Sequence, residues 1–202
     1  MTASSGGDEP TLSFYSDDAE NYAKFADPDG NPEPLEAFVS LLAPGASVMD
    51  FGCGSAWAAN RFRTMGFEVS AFDGSAGLAA QAKELYDIDV TVGSFEVFDD
   101  RDAYDGIWAS FCLLHGTRDA MPANLSRLAT ALRDNGHLYL GLIEGEGSER
   151  DSFGRRYTYF NEAEIRELLN NAGFDVLSVD RTPGKRYDGS PVFELHTLAR
   201  RR

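Results

Sequence analysis

Val48-Met49-Asp50-Phe51-Gly52-Cys53-Gly54-Ser55-Ala56 is the stretch on which the fold turns. Its first half, within 47–51, is a short apolar run that reads as a strand; two glycines interrupt it, and a helical pattern follows over 56–65. Without a Cβ, Gly52 and Gly54 let the backbone turn sharply and approach a ligand closely. Asp50 sets a carboxylate at the mouth of that turn. A tight strand-to-helix turn with no ligand is the plainer alternative.

The next unit sharpens the choice. A second strand over 67–72 runs into Asp73-Gly74-Ser75, and a helix follows over 75–86. Asp73 lies 21 residues after Gly52, close to the spacing of about 20 at which an acid meets a ribose hydroxyl in nucleotide-binding βαβ units. An ionised carboxylate accepts hydrogen bonds from both hydroxyls of a diol. Alternatively, Asp73 only caps the helix that begins near Ser75.

The alternation continues outward. Ile88, Val90 and Val92 suggest a third strand, 105–110 a fourth, and the apolar run HLYLGLI (137–143) a fifth. Between the last two, 118–133 reads as an amphipathic helix with Met121, Leu125, Leu128 and Leu132 on one face, ended by Asn135-Gly136. A helix over 161–171 and strands over 176–179 and 192–197 close the chain. Upstream, helices are expected over 14–25 and 35–42, separated by a turn-rich linker at 27–34. This is an α/β pattern: a doubly wound, seven-stranded, mostly parallel sheet with helices on both faces and an antiparallel pair at its C-terminal edge. Ligands of such sheets sit beyond the carboxyl ends of the strands.

Composition bounds the function. The 202 residues carry a net charge of -15. Residues 1–105 hold 20 acids and 5 bases, and 106–202 hold 13 of each, so the whole excess lies in the first half. Such a field repels a phosphate backbone, and no nucleic-acid partner is expected. The two cysteines, Cys53 and Cys112, provide no disulfide framework, and no metal-ligand spacing occurs. With no apolar stretch near the length of a membrane span and a polar start, the expectation is a cytoplasmic protein, monomeric or homodimeric, with no membrane partner.

The runs VMDFGCGSAWAANRF (48–62), VSAFDGS (69–75), YDGIWASFCLLHG (104–116) and ALRDNGHLYL (131–140) resemble the class I S-adenosylmethionine-dependent methyltransferases, small single-domain members included. The resemblance covers about 35–143, and FYSDDAENYAKF (14–25) resembles the helix that lids the cofactor. It implies a Rossmann-like fold, S-adenosylmethionine as methyl donor and S-adenosylhomocysteine as product. Nicotinamide enzymes use a related first unit, but their third glycine is replaced here by Trp57, which would crowd a pyrophosphate. A non-catalytic binder of the same cofactor is the other alternative. Many methyltransferases carry a further glycine where this chain has Ala56, which fits if its φ is negative.

The resemblance also implies site roles. Gly52, Cys53 and Gly54 would pass under the methionine part, with Asp50 near its amino group. Asp73 would take the ribose, with Gly74 and Ser75 alongside. Ser94, Phe95 and Glu96 would grip the adenine. Ala109, Ser110 and Leu113 would end the fourth strand beside the cofactor, and Tyr15 and Tyr22 would close over it. The implied division is a tail at 1–10, lid helices at 11–45 and a methyltransferase domain at 46–202, with an acceptor loop at 144–160.

For the chemistry, methyl transfer is an in-line displacement that needs alignment above all. A base is required only if the acceptor must lose a proton. His115, just past the fourth strand, is the expected base, with a supporting loop histidine as the alternative. Arg150, Arg155, Arg156, Tyr157 and Tyr159 are expected to line the pocket of a small-molecule acceptor. Alternatively, these arginines pair with the acidic first half. No metal is expected.

Overall fold

The computed structural model describes residues 7–26 and 33–202. β1 (Ser47–Phe51), β2 (Glu68–Asp73), β3 (Thr91–Val92), β4 (Tyr104–Ser110) and β5 (Leu132–Ile143) form a parallel set. β8 (Phe174–Lys185) and β9 (Pro191–Arg201) complete a seven-stranded sheet of order β3-β2-β1-β4-β5-β9-β8. β9 is antiparallel to both β5 and β8. The chain winds from β1 to β3 in one direction and returns to β4 on the other side of β1. That reversal opens a crevice beyond β1 and β4, where doubly wound sheets bind their ligands.

Burial explains why the strands read as apolar runs. Consecutive residues point to opposite faces, and both faces are covered. Met49, Ile107, Leu138 and Leu140 share one core with Met121, Leu125 and Leu128 of α6 (Met121–Ala131) and Ile165 and Leu169 of α7 (Glu162–Asn171). Their neighbours Val48, Trp108 and Tyr139 face the other way, onto Phe38 of α3 (Glu33–Val39) and Ala58 and Phe62 of α4 (Trp57–Thr64). α5 (Ala76–Tyr86) follows β2, and Ser75 caps it by accepting the Leu78 amide.

Several expected boundaries move. The single helix over 14–25 is two, α1 (Glu9–Asp17) and α2 (Ala19–Ala26). α1 begins within the expected tail because Asp8 caps it and Pro10 stands in its first turn; residues 1–6 of that tail, and 27–32 of the linker, lie outside the described residues. Helix α6 stops at Ala131, and Leu132 already belongs to β5. Asn135, at φ 63, sits where the pairing of β4 with β5 shifts register, so Asn135-Gly136 forms an irregularity inside a strand rather than a helix end. β8 and β9 run well past 176–179 and 192–197 because they pair with each other; Pro183 is tolerated because β8 is an edge strand. The expected loop at 144–160 contains a hairpin, β6 (Ser148–Arg150) with β7 (Arg156–Thr158). No described helix is long and apolar enough to cross a membrane.

Candidate functional site

The glycine turn after β1 is bound to the end of β2. Gly52 and Cys53 both donate their amides to the Phe72 carbonyl, at 2.7 and 3.0 Å. Gly52 and Gly54 have φ of 71° and 55°, a region where only glycine is unstrained. Asp73 accepts the Gly54 amide on Oδ2 at 2.8 Å and the Ser75 amide on Oδ1 at 2.7 Å. Each oxygen keeps a lone pair for a ligand. Burial raises the Asp73 pKa, and the backbone amides oppose that rise.

Ala56 departs from expectation. Its φ is 62°, so a buried alanine occupies the left-handed region that its negative φ was expected to avoid. It heads α4 with no side-chain cap. Asp50 fills that role from below, accepting the Ala59 amide at 2.9 Å. Burial, with Asp73 nearby as a lesser cause, pushes the Asp50 carboxyl up to about 7.

Two cavities meet at this turn. One, of about 300 Å³, is lined among others by Leu12, Asp73, Gly74, Ser94, Phe95 and Glu96. The other, of about 340 Å³, is lined among others by Asp50, Trp57, Trp108, Tyr139, Tyr157 and His196. Tyr15, Tyr22, Gly52, Gly54, Ser110, Phe111 and His115 stand at the junction and line both, while Cys112 lines only the first. A methyltransferase-domain family model matches residues 22–179, more than half of the chain. The chain belongs to the class I S-adenosylmethionine-dependent methyltransferases.

Solved structures agree on the fold of this methyltransferase. The 1,6-didemethyltoxoflavin-N1-methyltransferase of Burkholderia thailandensis, solved with 1,6-didemethyltoxoflavin and S-adenosylhomocysteine bound, superposes with a TM-score of 0.77 at 23% identity, over 96% of this chain and 88% of that one. A methyltransferase from Methanosarcina mazei gives 0.75 at 16% identity, over 86% and 99%. A complex between the Haloferax volcanii Trm112 methyltransferase activator and a putative methyltransferase gives 0.74 at 17% identity, over 94% of this chain and 96% of that one. No protein of curated function matches the sequence significantly.

The cavities sort the expected cofactor residues of the methyltransferase. Asp73, Gly74, Ser94, Phe95 and Glu96 line the first, and Tyr15, Tyr22, Gly52, Gly54 and Ser110 line both. Asp50 and Cys53 line only the second. Ser75, Ala109 and Leu113 are absent from both walls: Ser75 is taken up in capping α5, and Ala109 and Leu113 are buried in the core. Leu12, Leu78 and Asn124, which sequence reasoning did not single out, add to the first wall.

His115 is held on both nitrogens. A carbonyl only accepts, so Nδ1–H donates to the Arg156 carbonyl at 2.6 Å, and Nε2 accepts the Tyr15 hydroxyl at 2.8 Å. Burial lowers its pKa to about 4, which keeps the ring neutral.

The arginine loop departs from its expected role as one pocket wall. Arg155 and Tyr157 line the second cavity, Arg156 lines the first, and Arg150 and Tyr159 line neither. Arg150 forms a two-pronged pair with Asp8, at 2.8 and 2.7 Å, and Arg156 reaches the same carboxylate at 3.2 Å. Tyr159 donates to Glu149. Arg155 is 1% exposed; it pairs with buried Asp151 and donates to the Tyr15 oxygen at 3.2 Å. Its guanidinium faces the rings of Phe14, Tyr157 and Tyr187. The β6–β7 hairpin thus fastens α1 across the crevice. Among the described residues no cluster suited to a metal occurs.

Proposed function

We propose that this methyltransferase moves a methyl group from S-adenosylmethionine in the first cavity to a small-molecule acceptor in the second. The observation that carries the reading is the shared wall: both cavities are lined by Gly52, Gly54 and Ser110, where a donor in one would face an acceptor in the other. The donor supplies an activated methyl on a sulfonium. The residues present fit that donor. Asp73 has a free lone pair on each oxygen for a diol. Buried Glu96 Oε2 has no hydrogen-bond partner and suits an exocyclic amine. Gly54 lines both cavities, and a Cβ built on it would stand in ordinary contact with Leu78 and Tyr22, at 3.9 and 4.0 Å.

The chain's own groups do the rest by alignment and exclusion of water, and alignment alone is worth about 7–11 kcal/mol of barrier. Tyr15 and Tyr22 roof the junction. His115 acts as a positioning residue that orients the Tyr15 phenol, because its commitment to two partners and its low proton affinity make it a poor base. The division into lid helices at 11–45, core domain at 46–202 and acceptor loop at 144–160 fits this reading, as does a cytoplasmic protein that needs no nucleic acid. In the Burkholderia structure a donor product and 1,6-didemethyltoxoflavin are bound together; this supports a small acceptor here. The test is release of S-adenosylhomocysteine over a panel of small aromatic and heterocyclic acceptors that begins with 1,6-didemethyltoxoflavin. Turnover with at least one is expected; donor binding with none turned over favours a non-catalytic binder.

A further inference from the structure

Beyond the junction, a line of polar groups leads from the reacting end of the crevice into the β8–β9 hairpin. Ser110 and Tyr139 share the wall of the second cavity, with the Ser110 side chain favouring the ionised phenol, and Tyr139 Oη lies 2.8 Å from His196 Nδ1. His196 Nε2 is 2.8 Å from Thr182 Oγ1 and 3.4 Å from Glu194 Oε2. All but Thr182 line the second cavity, and Ser110 lines both. Tyr139 and His196 are 1% and 7% exposed. Trp108 stacks on Tyr139 at 3.6 Å and 10°, which fixes the direction of the phenol. A phenylalanine would fill the same space without burying a hydroxyl and an imidazole, whose burial costs free energy unless fully bonded.

We propose that Ser110, Tyr139, His196 and Glu194 form a proton relay serving a flat aromatic acceptor with an acidic O–H or N–H. The inference rests on the methyltransferase reading. The aromatic faces of Trp57, Phe111 and Tyr157 in the cavity wall suit such a molecule. Glu194 and Thr182 keep the imidazole proton on Nε2, so Nδ1 accepts from Tyr139. The acceptor X–H bond breaks with its electron pair left on X, and its proton goes to Ser110 Oγ. The Ser110 proton passes to Tyr139 Oη, and the Tyr139 proton to His196 Nδ1, giving an imidazolium beside Glu194. The pair on X forms the bond to the methyl carbon, and the carbon–sulfur pair stays on sulfur. Ser110 touches the acceptor; the other three act through it. The charged groups beside His196 are Glu194 on its own strand and Asp180 opposite it on β8, and Asp50, Arg155, Lys185 and Arg186 line the same cavity.

4-Nitrophenol is the probe, because its anion absorbs visible light and reports its protonation without turnover. It is titrated between about pH 5 and pH 9 on protein saturated with S-adenosylhomocysteine. The unmodified protein is expected to bind it and to lower its midpoint by about one pH unit, a tenfold gain in anion. Tyr139→Phe keeps the stack on Trp108, and His196→Gln keeps a polar group; in both the midpoint returns toward that of the free probe. Equal midpoints in all three proteins, or no binding of the probe, overturn the relay. Absence of binding heat for S-adenosylhomocysteine in the unmodified protein overturns the methyltransferase reading instead. Unchanged melting temperatures in the variants exclude misfolding as the cause.

Discussion

Asp73 and Gly54 come from successive βα units and are joined by one hydrogen bond of 2.8 Å from the Gly54 amide to Oδ2. The bond makes the glycine turn and the carboxylate a single rigid piece. Asp73→Ala removes it together with the two acceptors for a ribose. Donor affinity is expected to fall by roughly 2–4 kcal/mol, the loss of one to two charge-assisted hydrogen bonds at about 1.5–3 kcal/mol each. Calorimetric titration measures this, and an unchanged dissociation constant contradicts the ribose role.

Ala56 holds a left-handed backbone that disfavours any Cβ, by about 1–2 kcal/mol. Glycine lowers that strain but gives the unfolded chain more freedom. Ala56→Gly is therefore expected to stabilise the protein by about 0.5–1 kcal/mol, read from urea unfolding. Destabilisation would mean that the methyl group packs better than its backbone fits.

The strand, glycine turn and following helix were legible in the sequence because their signals are local, an apolar run and two glycines. Buried strands β1, β4 and β5 were legible for the same reason, as both faces demand apolar residues. Ala56 carries no local mark of its positive φ. The arginine loop was legible only in part: Arg155, Arg156 and Tyr157 reach the cavities, and Arg150 and Arg156 pair with Asp8 of the acidic first half, as the alternative had it. Arg150 finds Asp8 from 142 positions away, and Tyr15 finds His115 from 100, so only tertiary packing decides their partners. The start of α1 was missed, although Asp8 and Pro10, an N-cap followed by a first-turn proline, mark it. The full length of β8 was missed too, because Pro183 and Gly184 argue against a strand that only its pairing with β9 sustains.

Asp8 is the fastening point of α1, and the Arg150 guanidinium beside it holds its carboxyl well below the usual range. A lowered pKa means that the stabilisation is present above the unfolded value of about 3.9 and is lost only as pH falls through the folded one. Asp8→Asn should speed amide exchange in α1 about fivefold to tenfold at neutral pH, near 1 kcal/mol once the part-exposure of Arg150 is allowed for. Exchange unchanged in 9–17 would show that the aromatic contacts of Phe14 and Tyr15 suffice.

Asp50 and His115 bias stability in opposite directions. The raised pKa of Asp50, about 7, stabilises the fold at low pH and is lost as pH rises from about 3.9 through 7. The lowered pKa of His115, about 4, costs stability as pH falls from about 6.5 towards 4, where the unfolded chain takes up the proton first. Asp50→Asn keeps an oxygen for the Ala59 amide and removes the charge. It should match the unmodified protein near pH 4 and exceed it in melting temperature by a few degrees above pH 7. An equal melting temperature at high pH would mean that Asp50 is ionised there at no cost.

The central claim is that the glycine turn and Asp73 hold the adenosyl part of a methyl donor. Isothermal calorimetry of ligand-stripped protein with S-adenosylhomocysteine tests it most directly. The account predicts saturable heat at one site per chain, abolished or strongly weakened in Asp73→Ala. No heat in the unmodified protein, or heat unaffected by that substitution, would contradict it.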